Sequence, residues 1–157
     1  MARKARFHNS NETYHIMLRG INRQQIFHDS EDYQQYIKLL GYYKKVSGFT
    51  LHAYCLMGNH IHLLLSAQEE PLETIFRRIG SAFVYWYNSK YNRVGHLFQD
   101  RYRSESIDTE SSFIAVFRYI LRNPVAAGIC DSAELYPYSS AREYYYSERG
   151  ITDTRLI

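Results

Sequence analysis

Two histidines one residue apart, His60 and His62, form the most chemically pointed pair in the chain, set in the run HIHLLL. Side chains alternate faces along an extended strand, so His60, His62 and Leu64 share one face and Ile61, Leu63 and Leu65 the other. Two imidazoles at i and i+2 can converge on one metal ion, while the three aliphatic residues anchor the strand in the core behind them. A lone His-x-His is a weak signal, more often a surface or hydrogen-bonded pair than a metal site. It needs a third ligand and a reacting group, and the segment carrying Tyr119 and Asn123 supplies candidates for both. There Phe113, Val116, Phe117 and Ile120 define a helical stripe. Tyr119 falls roughly 120° off that stripe at about 100° per residue, and Asn123 closer to it. Four residues apart, the phenol and the carboxamide project to the same side of the helix. A phenolic oxygen can attack a phosphate, and a carboxamide oxygen can bind a divalent cation. The same spacing suits a tyrosine at the rim of the core and an asparagine ending the helix before Pro124, and spacing alone favours that plainer reading.

The elements that must position these groups are legible from periodicity. Residues 12–20 predict a strand that stops at Gly20. Residues 30–46 predict a helix with Ser30 as its N-cap, Glu31 and Asp32 in its first turn, and Gly48 after its end. Residues 50–56 and 60–66 predict two strands joined by Met57-Gly58-Asn59 as a hairpin. The strongest helix covers 71–91, where Leu72, Ile75, Phe76, Ile79, Phe83 and Trp86 follow the helical period. A loop rich in glycine and arginine (92–103) leads to a short strand near 104–108, then a helix over 110–122 that Pro124 ends. The order β-α-β-β-α-β-α predicts an α+β domain, an antiparallel sheet with helices packed mainly on one face.

At 157 residues the chain reads as one domain, residues 1–157, long enough to bury a core. Its 45% hydrophobic and 22% charged residues are those of an ordinary soluble protein. The basic start MARKARFHNSNETYH has no apolar stretch behind it, so no signal peptide is expected, and no run is apolar enough to span a membrane. Cys55 and Cys130 are too few for a disulfide framework and are expected to be reduced thiols in the cytoplasm. A net charge of +3 says little by itself. More telling is that arginines recur beside aromatic residues and glycines, as in Arg19-Gly20-Ile21-Asn22-Arg23, Arg77-Arg78 and Arg101-Tyr102-Arg103. Flat rings near guanidinium groups are what single-stranded bases and phosphates bind, although most of the 16 tyrosines are expected to be core or amphipathic surface.

Five blocks in order carry a family resemblance: YHIMLRGINRQQIF (14–27), AYCLMGNHIHLLL (53–65), GHLFQDRYRSESI (95–107), FRYILRNPVAAGI (117–129) and YPYSSAREYY (136–145). Together they resemble the single-tyrosine HUH transposases, of the insertion-sequence and REP-associated kinds. The resemblance implies a ferredoxin-like or RRM-like HUH endonuclease fold. It implies that His60 and His62, with Asn123 as third ligand, bind magnesium or manganese, although imidazoles also suit zinc or nickel. It implies that Tyr119 is the nucleophile, giving a 5′-phosphotyrosine link and a free 3′-OH, and that strand transfer follows. A free phenol ionises near pH 10, so the metal is the expected source of activation. Arg19, Arg23, Arg101 and Arg103 are then the expected phosphate contacts, with Arg118 and Arg122 near the nucleophile. The implied partner is single-stranded or hairpin DNA, the implied place the cytoplasm near the nucleoid, and a homodimer is an assembly the family uses.

Two departures stand out. The hairpin turn of the family has proline before the asparagine, and Gly58 replaces it, adding unfolded-state entropy. After the Asn-Pro turn the family has an arginine, and Ala126 replaces it, removing a contact. Two other readings remain open on the sequence: a catalytically idle, domesticated DNA binder on the same fold, and a metallophosphoesterase whose nucleophile is water.

Overall fold

Four strands of alternating pattern build one antiparallel sheet in the computed structural model, which describes residues 12–154. Most of the basic amino-terminal stretch, read above as lacking a signal peptide, lies outside the described residues. The strands are β1 (Glu12–Arg19), β2 (Thr50–Leu56), β3 (His60–Ala67) and β4 (Arg103–Ile107), in the spatial order β2-β3-β1-β4. The helices are α1 (Ser30–Ser47), α2 (Leu72–Tyr91), α3 (Glu110–Ala126) and a short α4 (Ala141–Tyr145). Among the described residues no helix is long and apolar enough to cross a membrane. Cys55 and Cys130 are both free, as expected of so sparse a pair.

Alternation along the strands makes the sheet two-sided. Tyr14, Ile16 and Leu18 of β1, and Ile61, Leu63 and Leu65 of β3, are buried with Tyr36 and Leu40 of α1 and Ile75, Ile79 and Phe83 of α2. On the other face Ala53, Cys55 and Leu64 pack with Ile120 and Leu121 of α3 and with Tyr136. The architecture is thus the α+β one read from the element order. The two longest helices cover one face, and α3 crosses the opposite face. Burying both faces fixes the register, because a one-residue slip would exchange the two sets of side chains.

Two helix ends differ from expectation. Asp29, not Ser30, caps α1: its backbone is extended and its carboxylate accepts from the Asp32 amide at 3.1 Å, while Ser30 is already helical. Aspartate is as good a cap as serine, and the one that sits outside the first turn takes the role. Gly48 closes α1 in the left-handed region at φ 65°, as its position implied. The second difference bears on the site. Pro124 does not end α3, which continues to Ala126. Proline removes one amide donor and crowds the carbonyl four residues back, yet here it lies in the last turn, where little helix remains to disturb. The end is closed by bonds from the Ala127 amide to Asn123 O and the Ile129 amide to Pro124 O. Asn123 is therefore held inside the helix, one full turn after Tyr119.

The turn after β1 is tied to the β2–β3 hairpin. Gly20 N donates to Asn59 O at 3.0 Å, and the Ile26 and Phe27 amides both donate to Gly58 O. At Gly58 the space a side chain would need is taken by Gln25, whose Oε1 would lie 2.3 Å from an added Cβ. The departure from proline is thus matched by a neighbour that fills the gap. Gly20 is under a harder constraint: a Cβ there would meet the backbone carbonyl oxygen of Gln24 at 2.3 Å. A backbone atom cannot swing aside as a side-chain tip can. Gly20→Ala is expected to lose about 3 kcal/mol, within the range for strained or overpacked sites. That corresponds to a midpoint lower by roughly 6–12 °C in a chain of this size, read by thermal melting.

Candidate active site

Register brings the sequence-predicted residues together. Antiparallel pairing sets Arg19 of β1 opposite His60 of β3 and Met17 opposite His62. All four side chains project from the face that α3 crosses, since the alternate residues fill the α1–α2 core. The imidazoles of His60 and His62 lie with ring centroids 5.1 Å apart and planes nearly perpendicular, at 89°. From α3, Tyr119 sets its ring edge-on to His62 at 5.5 Å. Its neighbour Ile120 is fully buried while Tyr119 is 53% exposed, so the helix anchors on one side and offers the phenol to solvent on the other. One turn on, the half-buried Asn123 reaches the His60 ring. The result is a cleft of about 280 Å³ lined by Met17, Arg19, Arg23, His60, His62 and Tyr119.

Hydrogen bonds orient both imidazoles. His60 Nδ1 pairs with the Asn59 carboxamide oxygen at 2.8 Å, and His62 Nδ1 with His15 Nε2 at 3.1 Å. In each ring Nδ1 is engaged, and the tautomer with its proton on Nδ1 leaves Nε2 free to bind a ligand. Burial, then the nearby His60, His15 and Arg19, hold the His62 imidazolium down to about 3. Burial also lowers His60, against the pull of Asn123 and with the push of Arg19. Neutral rings with free lone pairs are the form that binds metal. Among the described residues no group of three His, Cys, Asp or Glu side chains is arranged to hold a metal ion. Asn123, whose carboxamide reaches the His60 ring, is a candidate third donor. Two imidazoles and a carboxamide oxygen, in an open cleft beside a phenol, suit a divalent cation that keeps positions for water or phosphate.

The suppressed protonation has a consequence for stability. His15, His52, His60 and His62 all have folded-state values below the ordinary 6.5, with burial the largest cause in each. The unfolded chain takes up protons near pH 6.5 that the folded chain refuses. Stability is thus fully present above that pH and is lost as the pH falls toward about 3, where His62 itself titrates in the fold. Each fully suppressed histidine contributes about 1.4 kcal/mol per pH unit below 6.5. Thermal melts of metal-free protein are expected to show a lower midpoint at pH 5 than at pH 7, with a shallower fall in His62→Gln.

The arginines divide. Arg19 and Arg23 line the cleft. Arg23 and the preceding Asn22 both adopt positive φ, 58° and 53°, an uncommon backbone for non-glycine residues that aims this turn. Arg103 pairs with Met17 across β1–β4, which puts it on the same face at the edge strand. Arg101, Arg118 and Arg122 are exposed and do not line the cleft. Two residues that sequence reasoning passed over also belong here. Asn59 holds His60, and the buried His15 stacks on His62 at 5.3 Å and meets the Tyr119 ring at 6.0 Å. Alternation in YHIMLR could have put His15 on the face of Arg19, but only the cross-strand register puts it beside His62.

Comparison with known proteins gives a family and a shared fold. The model of a family described as Transposase IS200 like matches residues 8–123. A REP-associated tyrosine transposase, solved bound to a REP hairpin, is similar in structure with a TM-score of 0.77 and 18% identity, over 100% of this chain and 95% of its own. A Deinococcus radiodurans R1 protein described as a transposase gives 0.53 and 21%, over 75% of this chain and 95% of its own. No curated protein sequence matches the chain.

Proposed function

The chain belongs to the IS200-like transposase family, and from that premise we propose that it nicks single-stranded DNA and transfers strands through Tyr119, using a bound divalent cation. The observation that carries this reading is the seating of the exposed Tyr119 phenol against His62, in one cleft with His60, Arg19 and Arg23. Its substrate is single-stranded DNA beside a hairpin, a reading supported by the similarly folded protein solved on a REP hairpin.

His60, His62 and Asn123 would hold the cation. Magnesium or manganese bound there would supply polarisation of a phosphodiester and offset charge developing on its oxygens. Arg19 and Arg23 take the phosphate into the cleft, and Arg103 follows the strand along the sheet edge; Arg101, Arg118 and Arg122 serve as outer contacts. Tyr119 Oη attacks phosphorus and gives its proton to solvent. The bond from phosphorus to the 3′ oxygen breaks, and that oxygen takes a proton from solvent and leaves as a 3′-OH. The downstream strand stays joined to the protein through a 5′-phosphotyrosine. A second 3′-OH reverses the step: its oxygen bonds phosphorus, the bond to Tyr119 breaks, and the phenol regains a proton. One phosphorus–oxygen bond is exchanged for another each time, so no external energy source is required. A homodimer would serve to hold two DNA ends.

The test uses hairpin-bearing single-stranded DNA labelled on its 3′ side, incubated with the protein and Mn²⁺ and run on a denaturing gel. A protein-linked labelled band, lost with chelator, is expected. Binding without cleavage would favour the idle binder. Cleavage without any linked band would favour water as the nucleophile.

A further inference from the structure

His15 Nε2 and His62 Nδ1 are 3.1 Å apart, and both rings are buried. Two neutral imidazoles can share that contact in only one of two ways, because one nitrogen must carry the proton and the other must accept it. If His15 Nε2–H donates, His62 holds its own proton on Nε2, and that nitrogen has no lone pair for a cation. If His62 Nδ1–H donates, His62 Nε2 is free.

We propose that His15 is a positioning residue for the cation site, accepting the proton of His62 Nδ1 and so presenting His62 Nε2 to the metal. The inference rests on the metal-dependent reading above. In the selected arrangement the proton of His15 is on Nδ1, and a carboxylate facing that ring stabilises it there. Glu105 of β4 is directly opposite His15 in the β1–β4 register, which puts both on the site face. Its charge acts on the His15 ring, opposing the effect of burial. Glu105, His15 and His62 would then act in series, each fixing the tautomer of the next, the device by which outer-shell groups orient metal-binding histidines. The stacking of the two rings, at 27° between planes, and the edge contact of His15 with Tyr119 keep ligand and nucleophile in one packed unit.

The full-length protein and Mn²⁺ alone provide the test. Long-range nitrogen–proton NMR of the metal-free protein reads the tautomer of each histidine, and titration followed by manganese EPR reads affinity. His62 is expected as the Nδ1–H form. His15→Phe keeps a flat ring and removes the acceptor, and it is expected to weaken Mn²⁺ binding by about 10–100-fold and to populate the Nε2–H form of His62. His15→Gln restores an acceptor oxygen and is expected to recover most of the affinity. Glu105→Gln, at an exposed position, keeps the fold even should His15→Phe not, and is expected to weaken binding several-fold with the same tautomer drift. The Nε2–H form in the wild type, or unchanged Mn²⁺ affinity in both His15→Phe and Glu105→Gln, would overturn the proposal while leaving the nicking reading intact. A wild type that binds no Mn²⁺ yet shows the Nδ1–H form would overturn the metal-dependent reading and this role for His15 with it. That result differs from a failure of His15 alone.

Discussion

Tyr119→Phe is expected to abolish the covalent DNA adduct, with a loss on the order of 10⁴-fold or more, while leaving the fold and DNA binding in place. Removing a nucleophile takes away the bond-making atom itself, so the residual rate is whatever positioning and electrostatics achieve with water. The side chain is 53% exposed, so its hydroxyl is solvated in the folded and unfolded chains alike, and the melting midpoint should move little. The ring contacts with His62 and His15 survive in phenylalanine, which keeps the cleft's shape. Retained binding at low salt, with the usual steep fall as salt rises, would show that Arg19 and Arg23 still meet phosphate. Parallel loss of binding and adduct would place Tyr119 in substrate recognition and not in chemistry.

The second large effect is expected from His62→Ala. Loss of one of two imidazoles removes cation binding, and with it several kcal/mol of charge stabilisation, so adduct formation is expected to fall by about 10³-fold or more. Added manganese should not restore it, because alanine offers no donor atom in place of the proposed His62 ligand. Its truncation is also expected to cost about 1–3 kcal/mol at neutral pH, since the buried His62 ring packs against His15 and Tyr119 and its loss leaves His15 Nε2 without a partner. Manganese EPR and adduct yield, measured together on one preparation, check both halves of this expectation.

Much of the fold was legible because both faces of the sheet are buried. Ile61, Leu63 and Leu65 alternate with His60, His62 and Leu64, and that alternation alone assigns the two faces. The four strands and three long helices follow from such periods, and the hairpin strands fall where the turn at 57–59 predicted. Helix ends were less legible. Asp29 and Ser30 are both good caps, and only the backbone shows which lies outside the helix. Proline's usual effect pointed to an early end for α3, whereas a proline in a last turn disturbs too little to stop it.

The site divides in the same way. His60, His62, Tyr119 and Asn123 could be named from strand and helix periods together with the family blocks, and the fold gathers them. His15 could not, because its role depends on which strand lies beside β3. The chain passes through helix α1 and strand β2 between β1 and β3, and no local pattern gives that pairing. The arginines were the least legible. Arg19 and Arg23 line the cleft through a turn of unusual backbone, whereas Arg118 and Arg122, adjacent to Tyr119 in sequence and helix turn, do not. Ala126, at the position where the family carries an arginine, is exposed at the end of α3, so its replacement leaves packing untouched.

The central claim is that one tyrosine of the 16 in the chain carries the DNA. Protease digestion of the gel-purified adduct, followed by mass spectrometry of the nucleotide-linked peptide, tests it most directly. A 5′-phosphate ester on Tyr119, formed only with divalent cation present, is the predicted result. A link at any other residue, or a 3′-phosphate link, would contradict it.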